Sequence, residues 1–111
     1  MDKTLQLLSL IRKANKLITG EEFVTDAIRK NKVFLVFLAS DAGVNTTKKI
    51  NDKTKYYNIP LISSYTSLEL SNAIGKRRMV IGITDQGFAT SIKKGCDSYG
   101  KETEEQRWKN I

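Results

Sequence analysis

Three cations stand side by side at Lys76, Arg77 and Arg78, between Gly75 and an apolar run that begins at Met79. Long basic side chains on a loop are suited to gripping phosphate oxygens. A second group opens at Gly20, which is followed by Glu21 and Glu22. A glycine here lets a polyanion backbone approach the free amides of a helix start. The two carboxylates cut both ways. They stabilise the positive end of a helix and repel phosphate, yet a carboxylate also accepts a hydrogen bond from a base amino group. Glu22 is a candidate for such a base contact, and Glu21 reads first as helix-start stabilisation. Lys13, Lys16, Arg29, Lys30 and Lys32 flank this segment in sequence and are candidate phosphate contacts. Asn45, Thr46 and Thr47 read as cap residues first and as hydrogen-bonders to a nucleic acid second. Met79 and Val80 offer an apolar platform for a flipped-out base, with core packing as the competing role.

Other chemistry finds few residues to work with. Histidine is absent, and Cys96 is the single cysteine. The commonest general base and zinc ligand are therefore missing, and no disulfide framework can form. Asp41 follows the strongest apolar run, where an enzyme could place a catalytic carboxylate. It has no second carboxylate at convincing spacing and no nucleophile–base pair, so it reads as a turn cap or loop orienter. Gly82–Gly87, GITDQG, is neither a dinucleotide fingerprint nor a P-loop. No catalysis, no cofactor and no metal are expected. Nineteen basic residues against twelve acidic ones give a formal charge of +7 in 111 residues, which favours a polyanionic partner. No apolar run approaches the roughly 20 residues of a membrane span. The start of the chain shows neither the apolar core nor the cleavage site of a signal peptide.

The elements that must position these residues follow from hydrophobic period. Leu5, Leu8 and Ile11 suggest an opening helix that ends near Ala14 or Asn15. Glu21–Glu22 opens a second helix with an apolar stripe at Val24, Ala27 and Ile28. Residues 33–39, VFLVFLA, form a continuous apolar run that reads as a central strand covered on both faces. Thr46 or Thr47 is the expected cap of a third helix running to Tyr56. Leu61–Ile62 is a short strand. Ser67, Leu70 and Ile74 mark a short helix ended by Gly75. Residues 79–84 are a further strand, and Thr84 or Asp85 caps a last helix with Phe88, Ala89 and Ile92. A short additional strand is an option at Leu17–Thr19. Helices alternating with buried strands predict an α/β domain with a small, at least partly parallel sheet. Residues 1–97 form the expected domain and 98–111 a polar C-terminal tail, with Trp108 its one large anchor.

The ordered set carries a family resemblance. Residues 20–50, GEEFVTDAIRKNKVFLVFLASDAGVNTTKKI, resemble the ribosomal protein family typified by archaeal L7Ae, in particular its bacterial YlxQ-like branch. YYNIPLI at 56–62, the Leu68–Gly75 segment and ITDQGFA at 83–89 carry the same likeness, which covers about residues 5–95. It implies a three-layer αβα sandwich around a four-stranded mixed sheet. It also implies binding to kink-turn RNA through the glycine-led start of the second helix, the loop and helix start after the first central strand, and the loop before the last strand. Carried over, the family glycine is Gly20. Glu22 and Phe23 stand where archetypal kink-turn binders often carry asparagine and glutamate, and Asp26 where they carry lysine. These departures fit the YlxQ-like branch better than the archaeal archetype. The expected partner is structured RNA, ribosomal RNA included, without DNA specificity. The expected bearer is a noncatalytic cytoplasmic monomer; a protein-interaction adaptor of the same fold is the alternative.

Overall fold

The computed structural model describes residues 3–94. The proposed domain end at 97, Cys96, Trp108 and the tail 98–111 lie outside the described residues. The elements in chain order are α1 (Lys3–Lys13), β1 (Leu17–Thr19), α2 (Glu21–Arg29), β2 (Leu35–Leu38), α3 (Val44–Tyr56), β3 (Leu61–Ile62), α4 (Ser67–Ile74) and β4 (Val80–Ile83). A fifth helix, α5, spans 86–94 of the described residues. The four strands form one sheet in the order β1-β4-β2-β3. Only β2 and β3 are parallel, joined by the α3 crossover; β4 runs antiparallel to both β1 and β2.

Side chains alternate across a strand, and this sheet uses both sets. Leu35, Phe37, Ile62, Ile81 and Ile83 pack towards α1, α4 and α5, whose Leu8, Ile11, Leu70 and Ile74 are fully buried. Val36, Leu38, Leu61 and Val80 pack towards α2 and α3, with Val24, Ile28 and Ile50. The fold is thus a three-layer αβα sandwich with two cores. This explains why β2 is a continuous apolar run: each of its residues is buried. At Gly82 a Cβ would lie 3.3 Å from both Ile18 and Val33 side chains, so the missing side chain lets these two close over the α2 face.

Helix ends were only partly readable. Three helices stop at an asparagine in the left-handed region: Asn15 (φ 60°), Asn31 (φ 58°) and Asn58 (φ 57°). After each, an amide reaches back to close the last turn: Lys16 N–H to Ile11 C=O (3.1 Å), Lys32 N–H to Ala27 C=O (2.9 Å) and Ile59 N–H to Thr54 C=O (2.8 Å). These are the bonds of a Schellman cap, with asparagine in the place glycine usually takes. Gly75 (φ 81°) ends α4. The N-terminus of α3 departs from expectation. Gly43 is its N-cap and Val44 its first residue, so neither Thr46 nor Thr47 is the cap. Strand bounds are tighter than expected: residues 33, 34 and 39 lie outside β2, and 79 and 84 outside β4. For α5, Asp85 is the cap, its Oδ2 accepting from Phe88 N–H at 2.9 Å.

Candidate nucleic-acid interface

The ladder fixes which loops meet. Gly20 N–H donates to Val80 C=O (3.0 Å) and Ala39 N–H to Met79 C=O (2.8 Å). The end of β1, the end of β2 and the start of β4 therefore share one end of the sheet. The starts of α2 and α3 and the 76–79 loop open there too.

Glu21, Thr46, Arg77, Arg78, Met79 and Val80 line an open cleft of about 380 Å³ between these segments. Glu21 ties two of its walls together. Its Oε1 accepts from the Thr46 hydroxyl (2.7 Å) and its Oε2 pairs with Lys49 Nζ (3.1 Å). The Thr46 hydrogen bond first, and Lys49 second, hold the Glu21 carboxyl below its ordinary pKa. This carboxylate is spent within the protein, in keeping with a positioning role for Glu21. Glu22 is exposed beside it, as is Asn45 at the start of α3. Phe23 projects from the same helix turn with 73% of its surface exposed. Its Cδ2 lies 3.6 Å from where a Cβ at Gly20 would sit.

The cationic wall carries charges that no ion pair takes up among the described residues. Among the described residues, Lys76, Arg77 and Arg78 are exposed and form no ion pair. Arg78 is nonetheless oriented: Nε donates to Thr19 Oγ1 (3.2 Å) and Nη1 to Arg77 C=O (2.7 Å). Met79 is half-buried and packs against both cores, at the cleft's floor.

Asp41 holds the layout behind this cleft. Its Oδ1 accepts from Ser67 N–H and its Oδ2 from Ser67 Oγ–H, both at 2.7 Å. The end of β2 is thereby pinned to the first residue of α4, whose start also carries a Thr66–Glu69 capping box. The Ser67 hydroxyl bond, then its amide bond, with a smaller contribution from Arg77, depress the Asp41 pKa. A depressed folded-state pKa contributes stability that is present above the unfolded carboxylate range, about 3.9, and lost as pH falls through the folded value. Acidification below about pH 4 is expected to release this tether. The Ser67 amide signal, followed by NMR, should report it with a midpoint below that of an unperturbed aspartate; a midpoint at or above the ordinary value contradicts the tether. Asp41→Asn should abolish that titration at Ser67.

The other candidate cations are not at this end. Lys16 precedes β1, and its C=O accepts from Thr84 N–H at the far edge of the sheet (2.9 Å). Four residues of extended chain separate it from Gly20 by about 13 Å. Arg29 is the last residue of the nine-residue α2, and Lys30 and Lys32 follow it, at the end away from Gly20. Arg29 and Lys30 each pair with Asp26 at 3.0 Å. The structure thus brings together Gly20, Glu21, Glu22, Asn45, Lys76, Arg77, Arg78 and Met79, and sets Lys16, Arg29, Lys30 and Lys32 apart. Sequence proximity did not translate into proximity in space because one strand and one helix intervene. Lys49 and Thr19 were not foreseen as parts of the site, since only the fold brings them to Glu21 and Arg78.

Several known proteins are similar to this chain in sequence or in fold. Residues 2–93 match the model of the ribosomal protein L7Ae/L30e/S12e/Gadd45 family. The chain is 45% identical over 92 residues to the RNA-binding protein YlxQ of Enterococcus faecium, covering 83% of this chain and 89% of that one. It is 41% identical over 87 residues to the YlxQ protein of Bacillus subtilis (strain 168), covering 78% and 87%. A protein with unknown function from Bacillus halodurans C superposes with a TM-score of 0.84 at 43% identity, over 87% of this chain and 99% of that one. The Giardia lamblia 15.5kD RNA binding protein, at 15% identity, shares the fold with a TM-score of 0.74, over 85% and 84% of the two chains. The match over residues 2–93 and the two relatives at 45% and 41% identity, on a shared sandwich fold, show that the chain belongs to the ribosomal protein L7Ae/L30e/S12e/Gadd45 family.

Proposed function

We propose that this chain is a noncatalytic RNA-binding protein that grips a kink-turn or similarly bent RNA helix, ribosomal RNA being the favoured class, as a cytoplasmic monomer. One observation carries the reading: the helix start at Glu21, which follows Gly20, the α3 start at Thr46 and the cations Arg77 and Arg78, which form no ion pair among the described residues, converge on one open cleft. Arg77 and Arg78 supply a salt-sensitive hold on phosphates. Met79 offers an apolar surface to an unstacked base, and Glu22 an acceptor for a base amino group. A straight duplex would present its backbone to the cations without offering an unstacked base to the cleft floor. The names of the YlxQ relatives support RNA as the ligand.

Binding titrations against kinked and straight RNAs at several salt concentrations test the proposal. Wild type should prefer the kinked RNA. Arg77→Ala with Arg78→Ala should weaken both RNAs and flatten the plot of log affinity against log salt by roughly 0.7–0.9 per lost phosphate contact. Glu22→Ala should leave the slope and reduce the preference. A wild type that binds both RNAs equally overturns the bent-RNA reading.

A further inference from the structure

A second cleft, of about 390 Å³, runs along the outer edge of β1. Arg12 and Lys13 from the end of α1 line it, with Leu17 and Thr19 of the strand and Lys76 beyond α4. No acidic residue lines it, and among the described residues none of its three cations forms an ion pair. Cations near a helix C-terminus, and lysines at a sheet edge, also have plain structural uses. Arg12 has one of them, since its guanidinium lies about 3.5 Å from where a Cβ on Gly75 would sit. Two further features go beyond those uses.

The first is the strand's own backbone. Lys16 C=O and Gly20 N–H are bonded to β4, and Ile18 is in register with Gly82. In an antiparallel ladder alternate residues face the partner. The N–H and C=O groups of Leu17 and Thr19 therefore point away from the sheet and meet no backbone partner among the described residues. The second is continuity. The Thr19 hydroxyl accepts from Arg78, which lines the first cleft, while Thr19 itself lines the second. Arg78 and Lys76 thus join the two clefts into one cationic track that turns from the end of the sheet onto its edge.

We infer that the β1 edge cleft is a second RNA site, which takes the phosphate backbone of one arm of the RNA held at the first cleft. The inference rests on the RNA reading above and adds α1 and the β1 edge to the footprint. Arg12, Lys13 and Lys76 face the phosphates, the outward amides of Leu17 and Thr19 donate to backbone oxygens, and ribose 2′-hydroxyls can donate to the outward carbonyls. An added peptide strand is the competing occupant. The edge offers it only two outward-facing residues, too short a ladder to set a register, whereas three cations without a counter-charge suit a polyanion.

The test pairs one kinked RNA with long arms and the same kink trimmed short. Arg12→Gln with Lys13→Gln removes two charges while keeping a polar side chain at each position; Lys13→Gln alone, at an exposed position that leaves the Arg12 guanidinium beside Gly75, guards against a folding defect. The double variant should lose roughly tenfold in affinity for the long-armed RNA and about 1.4–1.8 in salt slope. Lys13→Gln should lose about half that slope, and binding of the trimmed RNA should stay within about twofold. NMR should show the Leu17 and Thr19 amides shifting with the long-armed RNA. Unchanged long-arm affinity in both variants overturns the inference. So does movement of those amides with a glutamate-rich peptide but not with RNA, which would assign the edge to a protein partner. A wild type indifferent to bending removes the bent-RNA reading only, because loss of affinity for a long straight duplex in the same variants still reports on the edge.

Discussion

Phe37→Ala is expected to reduce unfolding free energy by about 3–5 kcal/mol. Phe37 lies in β2, the strand flanked by β4 and β3, in register with Ile81 on one side and Ile62 on the other. It is fully buried, and its ring faces Tyr65 at 6.2 Å with a 41° tilt. Layers press on both faces of β2, so the surrounding helices cannot collapse into the void without opening the sheet. The loss is large against the roughly 5–15 kcal/mol that holds a domain of this size together. Phe34→Ala is the control. Phe34 sits just before the strand with 38% of its surface exposed, and its removal leaves solvent rather than a cavity. It should cost no more than about 1 kcal/mol. Urea denaturation followed by circular dichroism measures both, with equal m values expected if only the folded state is affected. A Phe37→Ala loss no larger than that of Phe34→Ala would mean that the β2 interior is not packed as described.

The same two-sided burial decided what the sequence disclosed. Val36 and Leu38 serve one core while Leu35 and Phe37 serve the other, so β2 has no polar alternation and stands out as an apolar block. β1 is the contrary case. It has three residues, all only half-buried, and lies at the sheet edge. So short a segment carries little periodic signal, and Leu17–Thr19 was legible only as an option. The start of α3 misled because two threonines mimic a cap, whereas Gly43 provides no side chain at all. The Thr46 hydroxyl is used instead on Glu21, 25 residues away in sequence. At the site, the 76–78 cations were legible as a unit because they share one loop. Lys16, Arg29, Lys30 and Lys32 were grouped with Gly20 by chain distance alone, and a strand and a helix carry them to the other end of the sheet. The Asp26 pairings explain two of them further, since Arg29 and Lys30 stand at i+3 and i+4 from an acid on the same helix.

Gly20→Ala should destabilise the fold by about 1–3 kcal/mol and weaken selection of bent RNA, through conformation rather than steric overlap. The space is available: the nearest atom to an added Cβ is Phe23 Cδ2 at 3.6 Å, an ordinary contact. The backbone angles are not, because φ 102° with ψ 140° is a region that side-chain-bearing residues rarely occupy. Nor can the residue easily relax. Its N–H is held by Val80 C=O at 3.0 Å and its C=O by Val24 N–H at 3.0 Å, so both adjoining peptide planes are anchored. An alanine must either keep the strained angles or give up one anchor. Losing the Val80 bond would detach the start of α2 from the start of β4. Those are the two walls that meet at the first cleft, and the Arg78–Thr19 contact lies one residue away. Stability and RNA selection should therefore fall together, in contrast to Arg77→Ala with Arg78→Ala, which remove exposed charges and should leave stability within about 0.5 kcal/mol of wild type. Thermal melts give the first quantity. Titrations with kinked and straight RNA, at a temperature where both variants remain folded, give the second. A Gly20→Ala protein with wild-type stability would show that its backbone does not require the glycine-favoured angles. One that is destabilised but keeps full preference for kinked RNA would confine Gly20 to the fold and move recognition to the cationic loop.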